Sequence, residues 1–304
     1  MCRAGDECRT VADGAAVWLA PAKLNLTLRV LGRRDDGYHQ IESIVAKVTL
    51  YDQLTFRPRG DGQLRLECTG LDCGPMEQNL VMRAARLVKE TGVPAGVDIH
   101  LRKRIPAAAG LGGGSSDAAT TLKALESLWQ VGLGPAELRE LAGRLGSDVP
   151  LFLDGPAVRM GGRGLEVSPI GMACFHAVLY LPDFDCPTAE VYQTFDRLSA
   201  GADQAERRPG RFGSVVRAGE LVEPPSQWRD ELVNDLLPAA ERVRPQLAAL
   251  RRRLAEATGG PVHMSGSGGA VFVLADTRAQ AVEVLRRLPE ELLVRCRAVS
   301  LNPW

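Results

Sequence analysis

The segment from Pro106 to Ala118, PAAAGLGGGSSDA, constrains this chain more than any other. Gly110, Gly112, Gly113 and Gly114 crowd together, and Ser115, Ser116 and Asp117 follow them directly. Glycine takes backbone angles closed to other residues and lets a second backbone or a phosphate come close. Beyond it, Ala118, Leu122, Leu125 and Trp129 recur at helical spacing, so the Ser-Ser-Asp cluster is expected to mark a helix N-terminus. Upstream, Val97-Asp98-Ile99-His100-Leu101-Arg102 alternates apolar and polar residues, the pattern of a strand. Strand, glycine loop and helix together suit a phosphate, because the first N–H groups of a helix are unpaired and its N-terminal end is partly positive. The competing reading is a plain connecting loop. The segment is not a Walker A loop, since no Gly-Lys-Ser/Thr closes it. It is not a Rossmann fingerprint either: Gly110-x-Gly112-x-x-Ser115 lacks the last glycine, and no regular βαβ alternation follows.

A chain of 304 residues can hold one large or two medium domains. Its 37 Lys and Arg balance 37 Asp and Glu, which points away from nucleic acid and from a polybasic membrane anchor. No apolar run approaches the roughly 18 residues of a membrane span. The oligomeric state is left open. The opening MCRAGDECRTVADGAA is poor in apolar residues and carries acids, unlike a signal peptide; residues 1–16 are expected to be a disordered extension. The seven cysteines are scattered. Cys68 and Cys73 lie too far apart for a C-x-x-C knuckle, so zinc is not indicated. A dispersed odd set fits a reducing, cytoplasmic setting.

Leu24, Leu26, Leu28 and Val30 alternate with Asn25, Thr27 and Arg29, predicting a strand with one buried face. Lys23 and Asn25 fall on its polar face. Further strands are expected over 44–56 and 63–68, a helix over 81–91 stopped by Gly92, and a helix from Pro135 to Gly146. In the second half, Ala177 to Leu181 reads as a strand. Residues 199–227 read as a surface excursion, and Val243, Leu247, Leu250 and Leu254 as one amphipathic helix. Short apolar runs flank Ser265-Gly266-Ser267-Gly268-Gly269. Thr277 caps a helix to about Leu288, and 292–301 could form a last strand. Strands with interspersed helices favour an α+β fold, with a boundary near 165–175 and domains at 17–170 and 171–304. His100 is expected to be exposed, and His176 and His263 to be structural.

Three separated motifs, each weak alone, gain force together: Pro21-Ala22-Lys23-Leu24-Asn25, Gly146-Ser147-Asp148-Val149-Pro150 and the Ser265–Gly269 loop. With the glycine segment they occur in the order PAKLNLTLRVLGRRDDGYHQIESI, NLVMRAARL, PAAAGLGGGSSDAA, LGSDVPLFL and MSGSGGAVF. By these motifs the chain resembles the GHMP kinase superfamily from residue 21 to 272. GRRDDGYH and the long GLGGGSS loop point to the branch acting on 4-diphosphocytidyl-2-C-methyl-D-erythritol, in the non-mevalonate isoprenoid pathway. The resemblance implies a two-domain α+β fold, with ATP and substrate in the cleft between domains, and transfer of the ATP γ-phosphoryl group to the substrate 2-hydroxyl. It also implies a catalytic pair, Lys23 and Asp148. Pro106, Gly110, Leu111, Gly112, Gly113, Gly114, Ser115 and Ser116 correspond to the ATP loop, and Asn79 and Lys103 to positions near adenine and ribose. Asn25, Tyr38, His39, Thr188 and Tyr192 correspond to substrate contacts, with His39 at the cytosine edge.

These parts agree with the chemistry. Phosphoryl transfer needs positioning and charge stabilisation more than covalent work. Lys23 can neutralise charge on the transferring group and keep Asp148 ionised. Asp148 would orient the hydroxyl and take its proton late. Tyr38 and Tyr192 offer aromatic platforms for cytosine. Ala107-Ala108-Ala109 replaces residues that are often Met or Gly in relatives, yet is small enough for the turn. Mg²⁺ is implied by ATP chemistry; Glu126 lies too deep in the helix, and Asp117 is a loose candidate. Two alternatives are another small-molecule kinase of the superfamily and a nucleotide-binding module without catalysis.

Overall fold

Alternating and glycine-punctuated segments build a mixed α and β chain, here in a computed structural model that describes residues 8–10, 14–200 and 220–302. The chain divides into two units. One takes the described residues up to Ala22 with Leu50–Ala107 and Gly112–Asp154; the other takes Lys23–Thr49, Ala108–Leu111 and the chain from Gly155.

In the first unit, β1 (Cys8–Thr10) pairs antiparallel with the start of β2 (Ala16–Arg33). Those three residues depart from the disorder expected over 1–16; residues 1–7 and 11–13 lie outside the described residues. The second half of β3 (His39–Arg59) follows, then β4 (Leu64–Gly70), α1 (Leu80–Lys89) and β5 (Gly96–Lys103). β5 lies between its antiparallel neighbour β3 and its parallel neighbour β4. Its alternation buries Val97, Ile99 and Leu101, which removes apolar surface from water at about 25 cal/mol per Å². Two helices complete the unit, α2 (Gly113–Trp129) and α3 (Pro135–Leu145). α3 opens on Pro135 and stops at Gly146, as the sequence predicts.

The start of α2 differs from the expectation. The Ser-Ser-Asp cluster is not its cap but lies inside its first turns, since Gly112 at φ 68° is the N-cap. Glycine enters the left-handed region without a Cβ penalty, and Ser116 N–H closes the first turn onto the Gly112 carbonyl at 2.9 Å. Ser116, Asp117, Thr120 and Thr121 consequently face inward and are buried.

In the second unit, the first half of β3 pairs with β6 (Ala157–Gly161), which forms a hairpin with β7 (Glu166–Pro169). This hairpin goes beyond the strands expected from the sequence, although Gly161-Gly162-Arg163-Gly164 is a turn signal and Gly162 and Gly164 have positive φ. Next come β8 (Gly171–Met172), β9 (Phe175–Tyr180), α4 (Thr188–Ser199) and β10 (Glu220–Leu221). β10 pairs parallel with β8; residues 201–219 of the expected excursion lie outside the described residues.

One helix was expected around Val243–Leu254. Instead α5 (Leu237–Val243) and α6 (Pro245–Thr258) meet at Pro245, which lacks an N–H and so starts a helix but cannot continue one. β11 (His263–Met264), β12 (Val271–Ala275), α7 (Arg278–Arg287), α8 (Glu290–Leu293) and β13 (Cys296–Leu301) follow. The last strand is shorter than expected because 290–293 is helical. β13 pairs with β9 and, at Leu301, with β3; β9 continues to β12 and β11.

Candidate active site

The glycine segment contributes to both units. In the second unit, Ala108–Leu111 is held by its own carbonyls. These accept from Cys186 N at 3.3 Å, Ala270 N at 3.0 Å and Lys23 N at 2.9 Å. Ser265 Oγ donates to the remaining carbonyl, that of Gly110, at 2.8 Å, and accepts from Asn25 N at 3.1 Å. Gly110 sits at φ 75°, and a Cβ there would fall on the Ser265 carbonyl oxygen. Ala108, at φ 51°, is a non-glycine residue in the left-handed region, a strain that persists only where the surroundings over-determine it.

Lys23 and Asn25, which the alternation places on a polar strand face, are nevertheless buried, at 4 % and 2 % exposed. β2 is covered on both faces here, with Leu24 and Leu26 buried as well. A buried ammonium needs partners, and Lys23 Nζ donates to Asn25 Oδ1. Asn25 Nδ2 in turn donates to Ser43 Oγ at 2.7 Å, and Ser43 Oγ donates to the Thr27 carbonyl at 2.5 Å. The Ser265–Gly269 loop backs onto this chain of bonds: a Cβ at Gly266 would lie 3.2 Å from both Lys23 Nζ and Asn25 Oδ1. Asn234, which the sequence reading missed, secures that loop by donating to the Met264 and Gly266 carbonyls at 2.9 and 2.8 Å. A single Asn in a loop carries no local signal of such a role.

The second unit also gathers the expected substrate contacts. Thr188 and Tyr192 stand four residues apart on α4, hence on one face. Thr188 Oγ1 and Ser267 Oγ share a hydrogen bond of 2.9 Å. The His39 ring stacks at 4.8 Å and 31° on Tyr192 and meets Phe195 edge-on at 6.2 Å. Tyr38 is exposed, with Arg163 over its ring at 5.3 Å.

In the first unit, Gly112–Ser116 form the cap and first turn of α2, where backbone N–H groups lack helical partners. Gly113 packs close: a Cβ would lie 2.9 Å from Ile105 Cγ2 and 3.2 Å from Lys103 Nζ. Pro106 stands half-buried in the turn after β5. Lys103 is buried between two carboxylates, donating to Asp52 and, at 2.8 Å, to Asp117 Oδ2. Asp52 Oδ1 also accepts from Arg104 N at 2.5 Å and Ile105 N at 2.9 Å. Burial opposes the Lys103 charge, but Asp117 and Asp52 outweigh it and raise its pKa. Burial pushes the Asp117 carboxyl up to about 7, with Lys103 opposing and Asp52 adding to the rise. Asn79 caps α1, its Oδ1 accepting from Val81 N at 2.9 Å. Asp148 lies half-buried in the turn after α3, which Val149 N closes onto the Gly146 carbonyl at 3.2 Å. The structure thus joins Lys23, Asn25 and Gly110 through Ser265, and His39 with Tyr192. It ties Lys103 to the start of α2, while Asn79 serves its own helix.

The GHMP kinases N terminal domain matches residues 79–156 and the GHMP kinases C terminal domain residues 225–293. A 4-diphosphocytidyl-2-C-methyl-D-erythritol kinase of Pelotomaculum thermopropionicum is 40% identical over 286 residues, covering 91% of this chain and 96% of the relative. The enzyme of the same name from Pseudomonas aeruginosa (strain LESB58) is 38% identical over 278 residues, 90% of each chain. A crystal structure of 4-(cytidine 5'-diphospho)-2C-methyl-D-erythritol kinase superposes with a TM-score of 0.74 at 36% identity, over 95% of this chain and 100% of that one. L. major mevalonate kinase superposes with a TM-score of 0.65 at 15% identity, which speaks to the fold alone.

Proposed function

This chain belongs to the GHMP kinases and is an ATP-dependent small-molecule kinase, and we propose from this that it phosphorylates the 2-hydroxyl of 4-diphosphocytidyl-2-C-methyl-D-erythritol in the non-mevalonate isoprenoid pathway. The observation that carries the choice of acceptor is a match along nine-tenths of the chain to kinases bearing that substrate's name. The pairing of His39 with Tyr192 supports it, since a planar base needs an aromatic platform beside an in-plane hydrogen-bonding group.

In this reading the ATP phosphates lie against the first turn of α2 and the Gly110–Gly114 backbone, where unpaired N–H groups and the helix dipole favour anions. Lys23 neutralises charge on the transferring phosphoryl group, and its hydrogen bond to Asn25 Oδ1 orients its ammonium. Asp148 orients the acceptor hydroxyl and receives its proton late, as a loose transition state allows. Asn25, Tyr38, His39, Thr188 and Tyr192 hold the substrate; Asn79, Lys103 and Pro106 support the nucleotide side. Lys103 does so through α2, because both carboxylates already occupy its ammonium.

Mg²⁺ accompanies ATP in this proposal and supplies neutralisation of phosphate charge. Ser116 Oγ and Asp117 Oδ1 are buried oxygens without a hydrogen-bond partner in the first turns of α2, and hydroxyl and carboxylate oxygens are donors that Mg²⁺ takes. These two residues would hold it. A cytoplasmic setting also belongs to the proposal. No described helix is long and apolar enough to cross a membrane.

The test is ADP release by the purified protein with Mg-ATP, with and without the cytidine substrate, beside mevalonate, galactose and homoserine. Turnover with the cytidine compound alone is the expected result. Turnover with one of the others discards the substrate while keeping the kinase.

A further inference from the structure

Neither the sequence motifs nor the family resemblance singles out Asp196. It stands on α4 four residues beyond Tyr192, on the same face, and its Oδ1 lies 2.6 Å from His39 Nε2. The His39 side chain is only 11 % exposed. Tyr192 covers one face of the imidazole and Phe195 meets it edge-on, so the ring plane is set and one of its nitrogens is committed. Arg33, 3.9 Å from the other carboxylate oxygen, is largely exposed and leaves the His39 bond as the short contact of Asp196.

A carboxylate only accepts hydrogen bonds. The proton of a neutral His39 is therefore on Nε2, because the bond made by one ring nitrogen decides the state of the other. Nδ1 is left as an acceptor, with no hydrogen-bond partner among the described residues. We propose that Asp196 is a positioning residue that holds His39 as an Nδ1 acceptor and so makes the base site select cytosine over uracil. This rests on the reading of His39 as the base contact. Cytosine presents an N4 amine, a donor, where uracil presents a carbonyl oxygen. An Nδ1 acceptor receives a hydrogen bond from the first and opposes a lone pair of the second. Leaving buried polar groups unpaired is the strongest form of discrimination available to a site of this kind.

Two measurements test this together. The ¹⁵N shifts of imidazole-labelled free protein at pH 8, with His39 assigned through His39→Gln, report the tautomer without any substrate. The wild type is expected in the Nε2–H form, and Asp196→Ala in a mixture. Steady-state kinetics then compare the cytidine substrate with its uridine counterpart. Asp196→Ala is expected to raise KM for the cytidine compound about tenfold with kcat within about twofold, and to cut the cytidine-over-uridine ratio of kcat/KM at least about tenfold. Asp196→Asn, nearly isosteric, can donate to Nε2 and admit the Nδ1–H form, so it is expected to improve uridine turnover relative to wild type. Asp196→Glu is expected to restore part of the ratio. An unchanged tautomer in Asp196→Ala, or equal losses for both nucleotides, overturns the proposal. So does a wild type that turns over both equally. If neither nucleotide is a substrate, the proposed function fails, and the tautomer measurement alone decides whether Asp196 fixes His39.

Discussion

Lys103 Nζ lies 2.8 Å from Asp117 Oδ2, and this bond joins the end of β5 to the first turns of the glycine-led helix α2. With Asp52 on its other side, Lys103 stands between two buried carboxylates. Removing one partner of such a cluster strands the others without water. Lys103→Met is expected to lower stability by about 3–5 kcal/mol, read by urea denaturation, whereas Asp117→Asn keeps a polar partner and should cost less. A Lys103→Met protein of normal stability that had lost only ATP affinity would return Lys103 to direct nucleotide contact.

The two ends of the glycine segment should respond oppositely to alanine. At Gly110 the positive φ and the Ser265 carbonyl both oppose a Cβ, so Gly110→Ala is expected to cost at least ~2 kcal/mol. At Gly114 the nearest atom to an added Cβ is Leu80 Cδ1 at 3.7 Å, an ordinary contact. Alanine there should keep or raise stability by about 0.5–1 kcal/mol while raising KM for ATP, because it narrows the approach to the helix N-terminus. An unchanged KM for ATP in Gly114→Ala would count against the phosphate site.

His263 carries an acid limit on stability. Burial, and then the nearby Arg251, hold its pKa down to about 4 from 6.5, and its Nε2 is buried without a partner. Between those values the unfolded chain binds a proton that the folded chain refuses. Stability from this group is therefore full above pH 6.5, falls as pH drops towards 4 and levels off below, by about 3 kcal/mol in all. Thermal melts across this range should show His263→Gln with a flatter acid limb than wild type. Parallel limbs in the two proteins would remove His263 as the source.

On the proposed mechanism, Asp148→Asn keeps shape and removes charge. Turnover is expected to fall at least ~10²-fold with the dissociation constant for ATP within about twofold, measured by single-turnover phosphorylation and by calorimetry. Near-normal turnover would exclude Asp148 from handling the hydroxyl proton.

The sequence by itself determined the mixed α and β composition, most strands and helices, the limits of α3 between Pro135 and Gly146, the Thr277 cap and the motif order that marks the family. All of these are written in residues close together in the chain, where spacing, caps and breakers act directly. Only the tertiary structure decided which polar groups meet. Asp196 reaches His39 across 157 positions, Ser265 reaches Gly110 across 155, and Asp52 reaches Lys103 across 51. It also turned Lys23 and Asn25 from a polar strand face into buried partners, because β2 is covered on both sides. An alternating pattern reports that one face is apolar; whether the other meets water or a second layer depends on how the sheet is covered.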